Sequence, residues 1–207
     1  MARSPEPARR RILDAALRLF AARGVAGVSL REIRIAAKQA NAGALHYHFG
    51  SKEGLLKALL ERELPPLVAR RRVLLAEAAA APAGDLRAVA AIFVLPFAEL
   101  AVGSARERAL ILLLAQLHDD ITLSLTHIME LVGDTAIGDA TGLLKARLRG
   151  PPETILSERL IVANSIFLHA AAIRARGGKR ERRLDDEAFS KNLVDMFLGA
   201  VTAPIVK

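Results

Sequence analysis

Four side chains that can donate hydrogen bonds lie close together near the N-terminus: His46, Tyr47, His48 and Lys52. Imidazole, phenol and ammonium groups all donate, and the ammonium group carries a full positive charge. Groups of this kind, presented together, suit the phosphate oxygens and base edges of nucleic acid. The segment therefore predicts a surface that binds phosphates and bases.

A short helix is predicted immediately upstream of these donors. Ser29 is followed three residues later by Glu32, the spacing of a capping box that begins a helix. Apolar residues then recur at helical spacing until the pattern breaks at residues 38–40. The sequence thus predicts one helix that ends just before residue 38.

A second short helix is predicted to present the donors. Asn41 is a good N-cap residue, so we expect this helix over residues 42–47. Its first residues leave the outer face almost without side chains: Ala42, Gly43 and Ala44. Two short helices joined by a tight turn form a helix-turn-helix, and a helix with so bare a face can lie deep in a major groove.

Residues 9–62 resemble the N-terminal DNA-binding domain of the TetR family of bacterial transcriptional repressors. Two strings carry the resemblance, RRRILDAALRLFAARGVAGVSLREI and GALHYHFGSKEGLL. It implies an all-α fold, with a helix-turn-helix domain of three to four helices followed by a larger helical ligand-binding and dimerisation domain. It also implies a cytoplasmic homodimer that binds a palindromic DNA operator and leaves it when a small molecule binds.

The chain departs from the family pattern at two positions. His46 stands where the family more often has tyrosine. The turn is one residue longer than the commonest form, and Lys38 stands where related long-turn members usually have glycine. A positive φ there costs a lysine roughly 1 kcal/mol.

The predicted DNA-contacting residues combine the helix-turn-helix pattern with this resemblance. Gln39, Asn41 and Ala42 are expected to meet bases or sugars, and Lys52 a phosphate. Leu45 and Phe49 are expected in the core. The full predicted set is Ser29, Arg31, Gln39, Asn41, Ala42, Gly43, His46, Tyr47, His48 and Lys52.

The positive charge of the chain is concentrated on this part of the sequence. Residues 1–62 hold 12 Lys and Arg against 5 Asp and Glu, whereas residues 63–207 hold 18 against 17. A concentrated positive field is typical of nucleic-acid binding. The chain has no cysteine, which excludes disulfides and thiolate metal sites. No signal peptide and no membrane span of about 18 uncharged apolar residues is expected, and no cofactor is implied.

The pattern divides the chain into two predicted domains, residues 1–62 and residues 63–207. Residues 1–7 are predicted to be a disordered arm. The following Arg9, Arg10 and Arg11 could reach phosphates or an adjacent minor groove, or could form a solvated helix start. Pro65 and Pro66 are predicted to end or kink a helix near Glu63.

The body is predicted to consist of helices only. Expected helices include residues 67–81, with Arg70, Arg71 and Arg72 facing outward; a helix carrying Ile121, Leu125, Ile128 and Met129; and helices over residues 152–176 and 185–201. Residues 133–142 are expected to form a loop or a frayed segment.

The last two helices are predicted to pair with their copies in a second protomer as a four-helix bundle. The same apolar stripes could instead face the chain's own core. The predicted interface residues are Leu156, Leu160, Ala163, Phe167, Phe189, Leu193, Met196 and Phe197.

The effector site is predicted from polar or aromatic residues in apolar helical surroundings: Phe93, Phe97, Gln116, His118, His127, Asn164 and His169. The aliphatic body favours an apolar effector. His127 and Glu130 have the spacing of a dimetal half-site, but such a site needs two of these motifs, so no metal is predicted.

Two other readings compete with the regulator. One is a nonspecific or constitutive DNA-binding protein without an inducer. The other is a helical enzyme with a basic head, but the sequence contains no Gly-x-Ser-x-Gly, no phosphate-binding glycine loop and no His-Glu-x-x-His. We therefore expect no enzymatic activity.

Overall fold

The computed structural model describes residues 5–41, 43–119, 135–148, 151–177 and 184–205. These residues form helices and no strand, as the sequence predicts. The helices are α1 (Pro5–Arg23), α2 (Leu30–Ala36), α3 (Ala44–Phe49), α4 (Lys52–Glu63), α5 (Pro65–Ala80), α6 (Leu86–Val102), α7 (Ala105–Asp119), α8 (Ala136–Arg147), α9 (Glu153–Ala175) and α10 (Asp186–Thr202).

The N-terminal helices α1–α4 pack around one apolar stripe of α1. Ile12, Leu13 and Phe20 on this stripe are fully buried, and α1 packs against α2 and α4. Gly24 ends α1 with a φ of +78°, a conformation that glycine adopts without steric cost. Helix α1 thus turns this stripe towards the core and ends just before a glycine.

The predicted disordered arm is wrong in part, because α1 already begins at Pro5. Proline is tolerated in the first turn of a helix, where its missing N–H would have no helical partner. Arg9, Arg10 and Arg11 consequently lie in the first turns of α1 rather than in a free arm.

The predicted break between α4 and α5 is confirmed. Helix α4 ends at Glu63, and Pro65 and Pro66 open α5. The apolar core nevertheless continues across the break, from Leu59 on α4 to Leu114 on α7. The division into two domains at this point stays a prediction.

Helix α6 lies at the centre of the body and packs against α5, α7, α8, α9 and α10. Asp85 caps its start by accepting a hydrogen bond from the N–H of Ala88 at 3.0 Å. Ser104 and Glu107 form a second capping box before α7: Ser104 N donates to Glu107 Oε2 at 2.7 Å. Aspartate and serine are favoured at helix starts because their side-chain oxygens accept from N–H groups that have no helical partner.

Two expectations for the body are wrong. Residues 136–140, expected to form a loop or a frayed segment, belong to α8. Arg71 does not face outward; it is buried, with its guanidinium 5.0 Å from the ring centroid of Phe97. Helix α5 packs against both α6 and α8, and Arg71 lies on the side that these helices cover. The expected helix with Ile121, Leu125, Ile128 and Met129 lies outside the described residues.

The predicted dimer residues prove to belong mostly to the chain's own core. Leu156, Ala163, Phe167, Leu193 and Phe197 are buried in one apolar cluster with α6, and Leu160 and Phe189 are half-buried against it. Met196 is exposed. These seven residues therefore fit the alternative that the apolar stripes face the chain's own core, and the interface residues themselves stay a prediction.

Helix α9 is long and apolar enough to span a membrane: it has 23 residues, and an 18-residue window of it has a mean hydropathy of 1.3. A third of that window is buried inside the protein. The sequence-based expectation required an uncharged run, which α9 lacks because of residues such as Arg159 and Arg174. In the structure α9 packs against α6, α7 and α10, as a core helix of a helical domain does.

Candidate nucleic-acid interface

The start of α2 is fixed by the predicted capping box. Ser29 Oγ accepts from the N–H of Glu32 at 3.3 Å, and Ser29 N–H donates to Glu32 Oε2 at 2.8 Å. Ser29 Oγ also donates to Glu32 Oε2 at 2.7 Å. The hydrogen bonds that the Glu32 carboxylate accepts, first from the Ser29 backbone, then from the Ser29 hydroxyl and from Arg23 at 2.8 Å, lower the pKa of Glu32 to about 2. Both orphan donors at this helix start are thus satisfied.

The turn after α2 contains a strained residue, Lys38, at the position where long-turn members of the TetR family usually have glycine. Lys38 has a φ of +53°, which costs a residue with a Cβ roughly 1 kcal/mol. Arg34 supports the turn, because its Nη1 donates to the carbonyls of Gln39 at 2.9 Å and Ala40 at 3.3 Å. Sequence reasoning missed this role of Arg34.

The second helix begins later than predicted. Asn41 Oδ1 accepts from the N–H of Gly43 at 2.9 Å, so Asn41 forms an Asx turn ahead of the helix instead of capping it. Helix α3 therefore spans Ala44–Phe49 rather than residues 42–47. Ala42 lies outside the described residues.

The surface of α3 combines bare backbone with exposed donors. Tyr47 is 85% exposed, His46 is exposed and His48 is half-buried with its ring 5.3 Å from that of Tyr47. Leu45 is buried, as predicted. Phe49 is half-buried against the core, with the guanidinium of Arg9 5.7 Å from its ring centroid.

A sharp corner after α3 sets its position relative to α4. Gly50 has a φ of +71°, and Ser51 caps α4 by accepting from the N–H of Gly54 at 3.1 Å. A Cβ on Gly54 would lie 2.1 Å from the carbonyl oxygen of Phe49. The two helices can therefore meet this closely only with glycine at residue 54.

Lys52 stands at this corner, in the first turn of α4. Its Nζ lies 3.4 Å from the carbonyl oxygen of Ala26, a weak hydrogen bond that leaves the other ammonium donors available. Beside it, a groove between α2 and α3 is lined by Leu30, Arg31, Arg34, Leu45 and His46. Positive and donating groups at these places can bind phosphates and base edges.

Gln39 is placed differently from the prediction. Its side chain is half-buried, and its Nε2 is buried without a hydrogen bond to any described residue. The structure thus brings Ser29, Arg31, Asn41, Gly43, His46, Tyr47, His48 and Lys52 to the region of α2, the turn and α3, but turns the Gln39 amide inward.

The residues predicted for an effector site lie at separate places. Phe93 is buried and stacks on Phe197 at 5.0 Å, and Phe97 lies under Arg71. Gln116 Nε2 donates to the carbonyl of Ala21 on α1 at 2.8 Å. His127 lies outside the described residues, and Asn164 is half-buried on α9.

Two of the predicted effector residues do meet, between α7 and α9. His118 Nε2 lies 2.6 Å from Ser165 Oγ, and His169 Nδ1 lies 2.8 Å from the carbonyl of Ser165. His169 Nε2 also lies 3.2 Å from Asp119. The hydrogen bond to the Ser165 backbone, and next the one to Asp119, raise the pKa of His169 above its usual value.

The N-terminal part of the chain matches a known family. Residues 12–59 match the sequence profile of the bacterial regulatory proteins of the tetR family. These residues include α2, the turn, α3 and the lysine-bearing corner. No curated protein matches the chain.

Solved structures with the same fold extend the similarity over the whole chain. A bacterial regulatory protein in the tetR family from Rhodococcus RHA1 is 18% identical with a TM-score of 0.56, covering 96% of this chain and 98% of its own. GusR of Salmonella enterica is 20% identical with a TM-score of 0.53, covering 97% and 98%. The chain thus has an N-terminal segment similar to the bacterial regulatory proteins of the tetR family, and it shares the fold of these solved structures.

Proposed function

We propose that this protein is a transcriptional repressor that binds a palindromic operator as a homodimer and releases it when a small molecule binds to the helical body. The observation that carries the proposal is the surface of α3: Tyr47 and His46 are exposed beside the bare Gly43 and Ala44, on a capped and basic helix-turn-helix. The proposed roles follow the predicted domains: residues 1–62 bind DNA, and residues 63–207 bind the effector and the second protomer.

An exposed apolar stripe on α9 supports the homodimer. Val162, Ile166 and Ile173 are each about half exposed. Their spacings of four and seven residues place them on one face of the helix. Met196 on the neighbouring α10 is also about half exposed. Exposed apolar surface of this kind is typical of an interface, and a second copy offers the same stripe to a twofold axis.

The requirement of DNA reading also favours two copies. One helix-turn-helix reads few base pairs, and a dimer places two recognition helices in successive major grooves about 34 Å apart. A twofold axis near α9 would relate the two protomers and hence their two DNA-binding heads, which are residues 1–62 of each protomer. The operator is accordingly proposed to be a palindrome.

The proposed effector is a small apolar molecule, because the body is built from aliphatic clusters. It would weaken DNA binding only to the extent that it binds one head arrangement better than the other. Such coupling is typically about 1–3 kcal/mol. The absence of enzymatic activity is part of the same proposal.

Selection of bound duplexes from a random pool tests the DNA-binding part of the proposal. The expected result is enrichment of one inverted repeat, which then binds in a titration at physiological salt. Enrichment of no sequence, with equal affinity for all duplexes, would indicate a nonspecific DNA-binding protein instead. A reporter gene placed behind the selected repeat then distinguishes repression from activation.

A further inference from the structure

Helix α1 of the DNA-binding head lies along α7 of the body, and the two helices are joined at two separate places. The first is a charge cluster at the start of α7, which we call the ionic anchor. The second is a hydrogen bond in the C-terminal half of α7, which we call the amide anchor. Each anchor reaches a different part of α1.

The ionic anchor is formed by Asp14, Arg62, Glu63 and Arg106. Arg106 binds the buried carboxylate of Glu63 with two hydrogen bonds of 2.7 Å, from Nε and Nη2. Arg62 donates to the same carboxylate at 2.7 Å. Both arginines also approach Asp14 on α1, at 2.9 and 3.5 Å. The cluster thus joins α1, the end of α4 and the start of α7.

The amide anchor is Gln116. Its Nε2 donates at 2.8 Å to the carbonyl of Ala21, in the last turn of α1, where carbonyls lack helical partners. Gly24 turns the chain directly beneath it: a Cβ there would lie 3.3 Å from Gln116 Oε1. Side-chain size at residue 24 and the amide at residue 116 are therefore fitted to each other.

The spacing of the anchors determines what they can do. Arg106 and Gln116 are ten residues apart on one helix, which is about 15 Å. Two attachments this far apart fix both the position and the direction of α1 along α7. The apolar core between them is continuous from Leu17 and Phe20 to Leu114. Rotation of the head relative to α7 must break one anchor or the other.

We infer that Arg106 and Gln116 are positioning residues for DNA binding: they hold α1 so that the orientation of the head follows α7. The end of α4 is itself held by the ionic anchor through Glu63, so α4 does not tilt independently of α7. An effector in the body would therefore act on the heads by displacing α7. This last consequence rests on the proposed function, whereas the head-to-body attachment does not.

Distance measurement between two spin labels in one protomer tests the attachment. The chain has no cysteine, so Lys57→Cys on exposed α4 and Asp139→Cys on exposed α8 would be the only labelled sites. Labelled protein is diluted with excess unlabelled protein, so that each distance lies within one protomer. The otherwise unmodified sequence is expected to give one narrow distance peak.

The test variant combines Arg106→Gln with Gln116→Ala. In this variant we expect a broad distribution of label-to-label distances in place of the narrow peak. The control is Arg70→Gln, which removes a comparable two-pronged ion pair with Glu99 inside the body, at 2.8–3.0 Å. The control should keep the narrow peak. Circular dichroism checks folding, and the single variant Gln116→Ala, expected to give an intermediate width, replaces the double variant if that does not fold.

A narrow peak in the folded double or single variant, equal to that of the control, would overturn the inference. Affinity for operators whose half-site spacing is changed by one base pair gives a second readout. The double variant should lose the discrimination between spacings and keep its dependence on salt. A protein that binds no operator would refute the proposed function but leave the spin-label result to decide the attachment.

Discussion

Lys52 is a cation of the DNA-binding head, and its contacts indicate which part of the DNA it binds. Its ammonium group makes one long hydrogen bond to Ala26 and faces the corner between α3 and α4. Such a group binds phosphate as a point charge and reads no sequence. Its loss should therefore weaken all duplexes alike.

Lys52→Ala is expected to lower the affinity for every duplex by a similar factor and to reduce the slope of log affinity against log salt by about one. The measurement is a fluorescence anisotropy titration at several salt concentrations. Lys57→Ala, an exposed lysine on the same helix, is the matched control. Loss of affinity restricted to one operator base would contradict the phosphate role.

The capping box gives a pH-dependent prediction. The pKa of Glu32 is about 2 in the folded protein, below the usual 4.5. Its stabilising contribution is therefore complete above about pH 4.5 and is lost as the pH falls towards 2. Urea unfolding should show Glu32→Gln less stable than the parent at pH 6, with the difference disappearing near pH 2.

Glu61→Gln controls for the loss of one exposed carboxylate from the head. If the difference between parent and Glu32→Gln is the same at every pH, the ionised carboxylate does not stabilise the start of α2.

Local residue signals were the most predictable part of the head. Ser29 with Glu32 acts as the spacing of the two residues indicates, because their hydrogen bonds stay within one helix turn. Asn41 was placed wrongly as a helix cap. It prefers to bond the N–H two residues ahead, and this choice depends on the conformation of the whole turn.

At the scale of elements, the close meeting of α3 and α4 decides how the recognition helix is presented. The carbonyl of Phe49 occupies the place where any residue but glycine at position 54 would carry its Cβ. Overpacking of this kind costs about 1–3 kcal/mol, and here the neighbouring atom belongs to the backbone. Relief requires α3 to move away from α4.

Gly54→Ala is expected to lower the free energy of unfolding by about 1–3 kcal/mol and to weaken DNA binding by more than the change in folded fraction explains. The matched control is Gly138→Ala on α8, where a Cβ meets nothing within 4 Å. The control should stabilise the protein by about 0.5–1 kcal/mol, because alanine favours a helix interior. Equal stability of both variants would contradict the close contact.

Element boundaries were harder to predict than element types. Helix α1 extends back to Pro5 because proline fits a first turn, and α8 begins at Ala136 within a segment that has a weak apolar pattern. The burial of Ala136, Ala140 and Leu144 in the body stabilises this helix, although the sequence pattern gives little sign of it. Small apolar residues give little periodic signal but still fill a core.

At the scale of the whole molecule, α9 has two apolar sides, and the sequence could not assign them. Phe167 and Ala163 face the core, whereas Val162 and Ile166 are exposed. Aliphatic residues on both sides of one helix look alike until the packing against α6 and α7 is known. Most of the predicted interface residues therefore face the protomer's own core, and the position of the interface stays a prediction.

Ile166→Glu is expected to convert the proposed dimer into monomers at micromolar concentration, because it would bury two opposed carboxylates at the twofold interface. Sedimentation equilibrium measures the mass. Ile161→Glu is the control, since this exposed isoleucine lies well to the side of the stripe. A folded Ile166→Glu variant that remains dimeric would place the interface elsewhere.

Half-site spacing in the selected operator distinguishes a coupled pair of DNA-binding heads from independent ones, because only coupled heads are sensitive to it. Insertion of five base pairs between the half-sites turns one of them to the opposite side of the duplex, and insertion of ten restores its side. After the insertion of five base pairs, the affinity is expected to fall to that of one half-site alone. No loss of affinity is expected from the same insertion outside the repeat. Unchanged affinity after five inserted base pairs would contradict binding by a coupled pair of helix-turn-helix heads.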